Sequence, residues 1–576
     1  MARRVLGSTV DVPALRAQLE ALATAGEHAQ VIATLFELLE TVLRDHSDLA
    51  TRYTTMLRGM YRSKSERVSS DQLALFLAQL PANETATPPD EPPPPPAPEP
   101  PPAPEPSPAP VEGDGGSPPT GPLKPAKPKR GGRKPVPPAM RREIVKVPVD
   151  PEDLRCCDTE KKVIGTHVRI TIEYRPGEAY AIEERAEVRA CRICESNVTS
   201  APTTPPPIEG ARPGPGMLAQ IVTSKNSDAV PLERQSKILA RGGARVAPST
   251  LGDWYARAAD LVEPLWRALR DDTLLRYLIS VDDTGLPVRD RAHARGIKRG
   301  HVWTFLGDGG EVGFCEYTPD WKGAWPQATL ADFRGQVIQS DGYAGLAPIF
   351  ARPNAPRRAG CMDHCRRRFV KALEVGDARA AVVVAVLREI YAVEAQARAD
   401  GVDRDELGRR RHRDSRPLIE RLHRMIGDLA GRATPKSPLG KAVAYAVNQW
   451  STLVVFLDDP RVPLSNAHVE RQQRRTAIGR RNFLFAGSDD AARRFAILHT
   501  LIVNCDLVGA PPFEYLRDIF RHLANDWPAA RIRELLPAAW LADQRRQQQQ
   551  ADRAAEAVDD LGAAVAPVDD IVAAAA

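Results

Sequence analysis

Three acidic side chains stand at positions where metal-dependent phosphate chemistry could be built. Residues 277–281 form an apolar run of buried-strand length that stops at Asp282, and a second short apolar strand in "GQVIQSDGYAG" ends at Asp341. Between them, "HVWTFL" and "EVGFCEY" flank "GDGG", which predicts a β-hairpin. If the two acid-bearing strands are parallel neighbours, their carboxylates converge on one edge of a sheet.

The third acid is Glu470, in the stretch "LSNAHVERQQRRTAIGRRNFLFAGSDD", which we predict to be helical from about Ser465. Two strand carboxylates and one helix carboxylate could hold two Mg²⁺ or Mn²⁺ ions, which activate the attacking oxygen and stabilise the leaving oxygen of a phosphodiester. Phosphates also need cations, and the same stretch supplies Arg471, Arg474, Arg475, Arg480 and Arg481. The competing interpretation is that strand-end acids are common and an arginine-rich helix is a solvated surface.

Two cysteine groups have spacings that raise the question of metal binding. "CRIC" places Cys191 and Cys194 at the spacing of a metal knuckle, whereas "RCCD" makes Cys156 and Cys157 adjacent, which is awkward for tetrahedral zinc. The alternatives are a zinc-finger-like module and a small β module held by its own packing. In "GCMDHCRRRF", His364 could join neighbouring cysteines in a metal site or serve a structural or DNA-contacting role.

The N-terminal region, residues 1–80, is predicted to be helical. Apolar residues recur at alternating steps of three and four from Leu35 through Leu39, Val42 and Leu49 to Met60, with one gap. This heptad pattern predicts a leucine-zipper-like coiled coil that joins chains into a homodimer or higher oligomer. An amphipathic helix that packs on its own domain is the alternative.

Residues 81–140 form a proline-rich linker that we expect to be disordered, since they hold a large share of the chain's 53 prolines. Its basic end, "KRGGRKP", carries Arg130, Arg133 and Lys134 and resembles an AT-hook, although the Arg-Gly-Arg-Pro order is absent. Minor-groove binding, sequence-independent phosphate binding and a merely solubilising linker all stay open.

The rest of the chain divides by composition. We predict a small cysteine module, a helical DNA-binding or connecting region, a catalytic core with a helical insertion over about 366–450, a C-terminal helical element and a disordered tail, at residues 141–210, 211–272, 273–500, 501–540 and 541–576. The 79 Lys and Arg against 74 Asp and Glu leave a net charge of only +5, so DNA binding must come from local clusters. No signal-peptide or membrane-spanning pattern is present, which favours a cytoplasmic protein.

Taken in order, several motifs resemble the DDE transposases of the insertion-sequence-66 family. They include "VDDTGLPV", "IQSDGYAG", "GCMDHCRRRF", "DSRPLIERL", the stretch around Glu470 and "LVGAPPFEYLRDIFRHL". The resemblance covers about residues 49–536. It implies an α/β fold with an RNase H-like catalytic core and a long helical insertion, preceded by a coiled-coil helix, the disordered linker and the zinc-finger-like module.

By match to the family motifs, the catalytic and metal-binding acids are Asp282, Asp341 and Glu470, with Asp283 as a reserve candidate. Arg366 and Arg367 of "CRRRF" join the DNA-binding set. The sequence departs from the family where Ala467 replaces the second Asn of an Asn-Asn pair, where Met362 replaces a Trp, and at the adjacent Cys156 and Cys157.

The resemblance implies a bacterial transposase, associated with the nucleoid when bound to DNA. Such an enzyme nicks transposon ends and transfers the exposed 3′-hydroxyl to target DNA, in some systems with small accessory proteins. Two alternatives remain at this point: a catalytically inactive DNA-binding protein derived from a transposase, and a related metal-dependent nuclease that only hydrolyses.

Overall fold

The computed structural model describes residues 142–175, 177–194 and 198–564, with short pieces between residues 4 and 35. Within those pieces, strands Arg4–Val5 and Ser8–Thr9 pair, and residues 28–35 are helical. The predicted coiled coil beyond Leu35, the proline-rich linker and its Arg130, Arg133 and Lys134 lie outside the described residues, as do residues 565–576.

The cysteine-containing module is built on a long hairpin. Strand β1 (Arg142–Val147) runs parallel to β3 (Glu178–Ala190), and β2 (Lys162–Arg175) runs antiparallel to β3. Short strands Arg155–Cys156 and Thr159–Glu160 pair with each other, and Thr199–Ser200 pairs with β3.

Three helices follow the module, in the segment predicted to be helical: α1 (Pro215–Asn226), α2 (Leu232–Arg241) and α3 (Pro248–Leu274). The turn end of the hairpin, at Ile172 and Ala179, shares one apolar core with these helices and with the C-terminal helices. The module therefore packs directly against the helices that follow it.

The central sheet contains five strands: β4 (Leu278–Arg289), β5 (Ile297–Gly307), β6 (Val312–Thr318), β7 (Val337–Gln339) and β8 (Arg357–Ala359). Their order is β6-β5-β4-β7-β8. The first three form an antiparallel meander that includes the predicted hairpin, whereas β7 is parallel to both β4 and β8.

One strand boundary in our sequence interpretation is wrong. We expected the strand to stop at Asp282, but β4 continues through Asp282 to Arg289 because β5 pairs with it along its whole length. Only the parallel partner β7 ends near Asp282, because its last residue, Gln339, pairs with Ser280 of β4.

Side chains alternate between the two faces of the central sheet. Ile279, Val281 and Phe305 pack on one face with helix α4 (Ala324–Leu330), while Leu286 and Leu306 pack on the other. That second face is covered by two later helices, which contribute Val469 and Phe495.

The predicted helical insertion is helical but not continuous. It comprises α5 (Met362–Glu374), α6 (Ala380–Ala399), α7 (Arg404–Arg410), a π-helical segment (Arg411–Ser415), α8 (Arg416–Ala430), α9 (Pro438–Leu453) and a short helix (Val455–Asp458). Gly376 and Gly401, with φ of +95° and +64°, make two of the turns. The insertion packs around one apolar core, which also includes Leu278, Val337 and Ala359 of the central sheet.

The chain returns to the sheet through α10 (Ala467–Phe483) and α11 (Asp489–Val508), followed by α12 (Pro512–Ala524), a 3₁₀ turn (Ala529–Leu535) and α13 (Pro537–Ala564). The prediction of a disordered tail from residue 541 is wrong as far as Ala564. Its Ala, Gln, Arg and Glu residues are strong helix formers, and Trp540 anchors the helix by donating to Asp518 at 2.8 Å. No helix among the described residues combines the length and apolar composition needed to cross a membrane.

Candidate active site

Strand pairing brings the first two acids together. Gln339 of β7 lies opposite Ser280 of β4, and two residues further along each strand stand Asp341 and Asp282. The predicted parallel arrangement of the two strands is therefore confirmed.

The start of α10 is fixed beside the same strand. The buried Asn466 side chain donates to the Val281 carbonyl at 3.0 Å, and the Asn466 backbone N–H donates to Cys361 Sγ at 3.2 Å. Glu470 sits in the first turn of α10. The retained Asn of the altered Asn-Asn pair thus holds the helix in place, and Ala467 is not needed for these bonds.

A cavity of about 840 Å³ contains all three acids. Its charged and histidine lining residues are Asp282, Asp283, Asp341, Glu470, Arg299, Arg367, Arg474, Arg480, His301 and His364. Four carboxylates and four guanidinium groups therefore share one space, which suits a ligand that carries phosphates together with cations.

Asp282 has other negative charges beside it. Burial, followed by the charge of Asp341, raises the pKa of Asp282 well above its usual value, and Glu470 adds to the effect. The Asp283 backbone N–H, which donates to Asp282 Oδ1 at 2.9 Å, opposes this shift. A carboxylate cluster of this kind is a donor set for a hard divalent cation.

Glu470 contacts two residues of α5. Arg367 pairs with Glu470 Oε2, and His364 Nδ1 lies 3.6 Å from Oε1, which is buried and accepts no hydrogen bond from the residues that the structure describes. Burial lowers the pKa of His364 and so favours its neutral form.

The possible metal site formed by His364 and its neighbouring cysteines is only partly assembled. Atoms of Cys361, His364 and Glu470 lie within 4.8 Å of one another, but Cys365 is outside this group and buried in the core of the insertion. Burial raises the pKa of Cys361 to about 12, and its sulfur accepts the Asn466 N–H. These contacts favour a structural role for Cys361.

Asp283 faces away from Asp282, as expected for adjacent residues of a strand. His301 pairs with its Oδ2, and Trp321 Nε1 donates to its Oδ1 at 2.9 Å. Since both oxygens are engaged by side chains, Asp283 is poorly placed to replace Asp282 as a metal ligand.

Three of the predicted DNA-binding arginines, Arg367, Arg474 and Arg480, line the cavity. Arg480 donates to the Thr284 hydroxyl at 2.9 Å and to the Gly285 carbonyl at 2.5 Å. The structure adds Arg299, whose guanidinium passes so close to Gly285 that a Cβ there would lie 2.6 Å from Nε.

The other predicted arginines lie elsewhere. Arg475 pairs with Asp506 of α11 at 2.7 Å, and Arg366 lies 3.6 Å from Asp363. Arg471 and Arg481 are exposed but do not line the cavity.

Sequence reasoning missed Arg299, His301, Trp321 and Gln473, which also line the cavity. The charged start of β5, "IKRGH", was the only local hint of Arg299 and His301. Trp321 follows β6 in a turn, and no local pattern indicated that it returns to Asp283.

In the cysteine-containing module, four sulfur atoms all lie within 4.8 Å of one another: those of Cys156, Cys157, Cys191 and Cys194. The adjacent pair is accommodated because Cys157 adopts a left-handed conformation with φ of +49°. Backbone N–H groups of Cys194 and Ile193 lower the pKa of the Cys191 thiol to about 6, whereas hydrogen bonding to Cys156 raises the pKa of Cys157 to about 12.

Fold and site together define a mixed α/β protein with an acidic cluster surrounded by arginines. The family model described as Transposase IS66 family matches residues 210–494, and that of the IS66 C-terminal element matches residues 500–538. The uncharacterized protein y4jD of Sinorhizobium fredii is 31% identical over 62% of this chain and 71% of its own length. The uncharacterized protein y4hP of the same organism is 30% identical over 72% and 77%.

The chain therefore belongs to the IS66 family of transposases. Family membership supports a transposase role, and with it binding to DNA.

Proposed function

We propose that this protein is a DDE transposase that nicks each transposon end and transfers the exposed 3′-hydroxyl to target DNA. The observation that carries the proposal is the convergence of Asp282, Asp341 and Glu470 on one arginine-lined cavity in a chain of this family. In this proposal Asp282, Asp341 and Glu470 hold Mg²⁺ or Mn²⁺. When bound, the metal activates the attacking oxygen and stabilises the leaving oxygen.

The chain's own residues orient the DNA. Arg299, Arg367, Arg474 and Arg480 line the cavity and would bind the phosphates on either side of the scissile bond. Asn466 keeps Glu470 beside β4. Hydrolysis and strand transfer can share this site because both displace an oxygen at phosphorus.

We also propose that the core is RNase H-like. Support comes from the antiparallel meander β4–β6 followed by the parallel strands β7 and β8, and from the helical insertion between Asp341 and Glu470.

Zinc in the cysteine module is part of the same proposal. Four sulfurs within 4.8 Å and the acidified Cys191 thiol fit a tetrahedral thiolate site. We expect about one zinc per purified chain by metal analysis, lost in Cys194→Ser and kept in Cys315→Ala, whose cysteine lies in β6. Zinc-free wild-type protein that is fully folded would instead support a module held by its own packing.

The test of the catalytic proposal is a strand-transfer assay with labelled duplexes that carry the element's own ends, a supercoiled target, and Mg²⁺ or Mn²⁺. Wild type should yield joined product, and Asp282→Asn, Asp341→Asn and Glu470→Gln should lose it while end binding persists. Asp283→Asn serves as the neighbouring control and should keep measurable joining.

Two other outcomes would replace the proposal. Cutting without joining would indicate a nuclease. Binding without cutting, also in the presence of accessory proteins encoded beside the gene, would indicate an inactive DNA-binding protein.

A further inference from the structure

The hairpin of β4 and β5 extends beyond the other strands of the central sheet. Strand β6 pairs with β5 only as far as His301, and β7 pairs with β4 only as far as Ser280. Beyond these points β4 and β5 continue as a two-stranded ladder to the pair of Arg289 and Ile297. We call residues 285–300, which comprise this ladder and the loop at its end, the ribbon.

The ribbon is basic, and its charge is not neutralised by the residues that the structure describes. Its one acid, Asp290, is engaged elsewhere: Oδ1 accepts the Ala292 N–H at 2.9 Å and Oδ2 lies 3.7 Å from Lys298 Nζ. The four arginines of the ribbon are exposed and form no ion pair with a described residue: Arg289, Arg291, Arg295 and Arg299. A rigid patch of this charge attracts an anionic partner.

Contacts with two later helices hold the ribbon in place. After α10, the Ala486 N–H donates to the Pro287 carbonyl and the Ala486 carbonyl accepts the Arg289 N–H, both at 2.8 Å. Lys298 pairs with Asp489 in the first turn of α11 at 2.7 Å. The arginines are therefore carried on an ordered backbone, which reduces the entropy lost when a partner binds.

One face of the ribbon continues the wall of the cavity. Asp283 and Gly285 line the cavity, and alternate residues of β4 share a face, so Arg289 lies on the same face further out. Arg299 lies between them, since it is paired with Pro287 and its guanidinium passes over Gly285. The positive surface thus runs without interruption from the acids towards the tip of the ribbon.

We propose that the ribbon is a DNA-binding arm that contacts backbone phosphates of the duplex about five base pairs from the scissile phosphate. This inference rests on the proposed function, because the scissile phosphate must lie at the three acids. The distance follows from the strand: residues 284–289 span about 17 Å at ~3.4 Å per residue. One base pair of duplex rises ~3.4 Å.

The chemistry of the ribbon favours phosphates over bases. Guanidinium groups pair with phosphate oxygens through charge-assisted hydrogen bonds, and such contacts position a duplex without reading its sequence. We therefore expect binding through the ribbon to be strongly dependent on salt and tolerant of base changes.

Two variants with the same loss of charge separate this proposal from a merely solvated surface. The ribbon variant replaces Arg289, Arg291 and Arg295 with Gln, and none of the three lines the cavity. The control variant replaces three arginines of the helical insertion with Gln: Arg398, Arg424 and Arg432. These are also exposed, lie outside the cavity lining and form no ion pair with a described residue.

The first measurement is the affinity of the full chain for a long duplex of the element's end over a salt series. The ribbon variant should reduce the slope of log affinity against log salt by about 3 and bind at least about 10-fold more weakly at 0.1 M salt. The control variant should keep the wild-type slope. Lys at the same three ribbon positions should restore most of the slope, because Lys also neutralises a phosphate.

A second measurement locates the contact. Single neutral methylphosphonates are placed one at a time at the second to eighth phosphates on each side of the cleavage position. Wild type should lose affinity at phosphates about four to six positions away on one side. The ribbon variant should be insensitive at these positions and remain sensitive next to the cleavage position.

The loop arginines keep the test valid if the triple variant melts below wild type. Arg291→Gln and Arg295→Gln, each made alone, lie in the loop between the strands and should each reduce the slope by about 1.

Three results would overturn the inference. Equal slopes for the ribbon and control variants, or a methylphosphonate profile that wild type and the ribbon variant share, would remove the arm and leave the proposed function intact. A wild-type chain that binds no end duplex would overturn the proposed function and this inference with it.

Discussion

Arg474 and Arg475 are neighbours in sequence but have different surroundings. Arg474 is exposed and lines the cavity, whereas Arg475 is partly buried and pairs with Asp506. Consecutive residues of a helix point about 100° apart, so only one of the two can face the acids.

This difference predicts distinct effects on DNA binding. Arg474→Ala should weaken binding and reduce the slope of log affinity against log salt by about 1, because one phosphate contact is lost. Arg475→Ala should leave the slope unchanged and lower the melting temperature, because Asp506 loses its partner. Fluorescence anisotropy over a salt series measures both, and equal slopes for the two variants would contradict the placement of Arg474.

At the scale of elements, Arg411 ties the helical insertion to the segment that leads into α10. Its guanidinium is 2% exposed, pairs with both oxygens of Glu394 at 2.7 and 2.9 Å, and donates to the Phe456 and Val462 carbonyls at 2.8 and 3.0 Å. It lies in the π-helical segment, whose wider turn accommodates these inward contacts.

Arg411→Ala should therefore destabilise the protein by about 3 to 5 kcal/mol, since the partly buried Glu394 carboxylate and the Phe456 and Val462 carbonyls lose the donor that Arg411 supplies. Arg413→Ala is the control, because Arg413 is exposed and pairs with its sequence neighbour Asp414 rather than with a buried network. It should change stability by less than about 1 kcal/mol. Denaturant unfolding of both variants checks this, and similar midpoints would show that the buried network is not stabilising.

Glu173 joins the hairpin to the start of α1. Its carboxylate is buried and accepts backbone N–H groups, including that of Met217 at 2.7 Å. Burial outweighs these bonds and raises the pKa of Glu173 from 4.5 to about 7. The folded state therefore binds this proton more tightly than the unfolded state does.

Stability contributed by Glu173 should be present below about pH 4.5 and decline as pH rises towards 7, by about 1.4 kcal/mol per pKa unit. In Glu173→Gln this decline should vanish, so the melting temperature of the variant relative to wild type should rise between pH 5 and pH 8. Exposed Glu152→Gln should show no such trend. A constant difference across this range would contradict the raised pKa.

At the scale of the whole molecule, transposition requires two ends to be handled together, and one cavity cannot hold both. The heptad pattern beyond Leu35 remains the predicted means of pairing chains, and it lies outside the described residues. Replacing Leu39 and Val42 with Lys should therefore lower the mass measured by light scattering to that of a single chain. Thr41→Lys, off the heptad seam, should leave it unchanged, and a monomeric wild type would refute the prediction.

Much of this protein could be predicted from local patterns. The structure confirms the strands that lead to Asp282 and Asp341, the GDGG hairpin and the helix that begins near Ser465. These elements were predictable because strands and helices each repeat apolar residues with a characteristic spacing along the sequence. Boundaries were less predictable. Strand β4 runs past Asp282 because β5 pairs with it, and the tail is helical because Trp540 has a partner on α12.

The sequence by itself determined which residue types were available for chemistry and how each element repeats its apolar face. Only the tertiary structure decided what each of two neighbours contacts. Asp282 lies beside Asp341, whereas both oxygens of Asp283 are engaged by His301 and Trp321. Arg474 lines the cavity, whereas Arg475 pairs with Asp506. A step of one residue turns a side chain to the other face of a strand or about 100° around a helix. The residues that contact each face, such as Trp321 or Asp506, come from more distant parts of the chain.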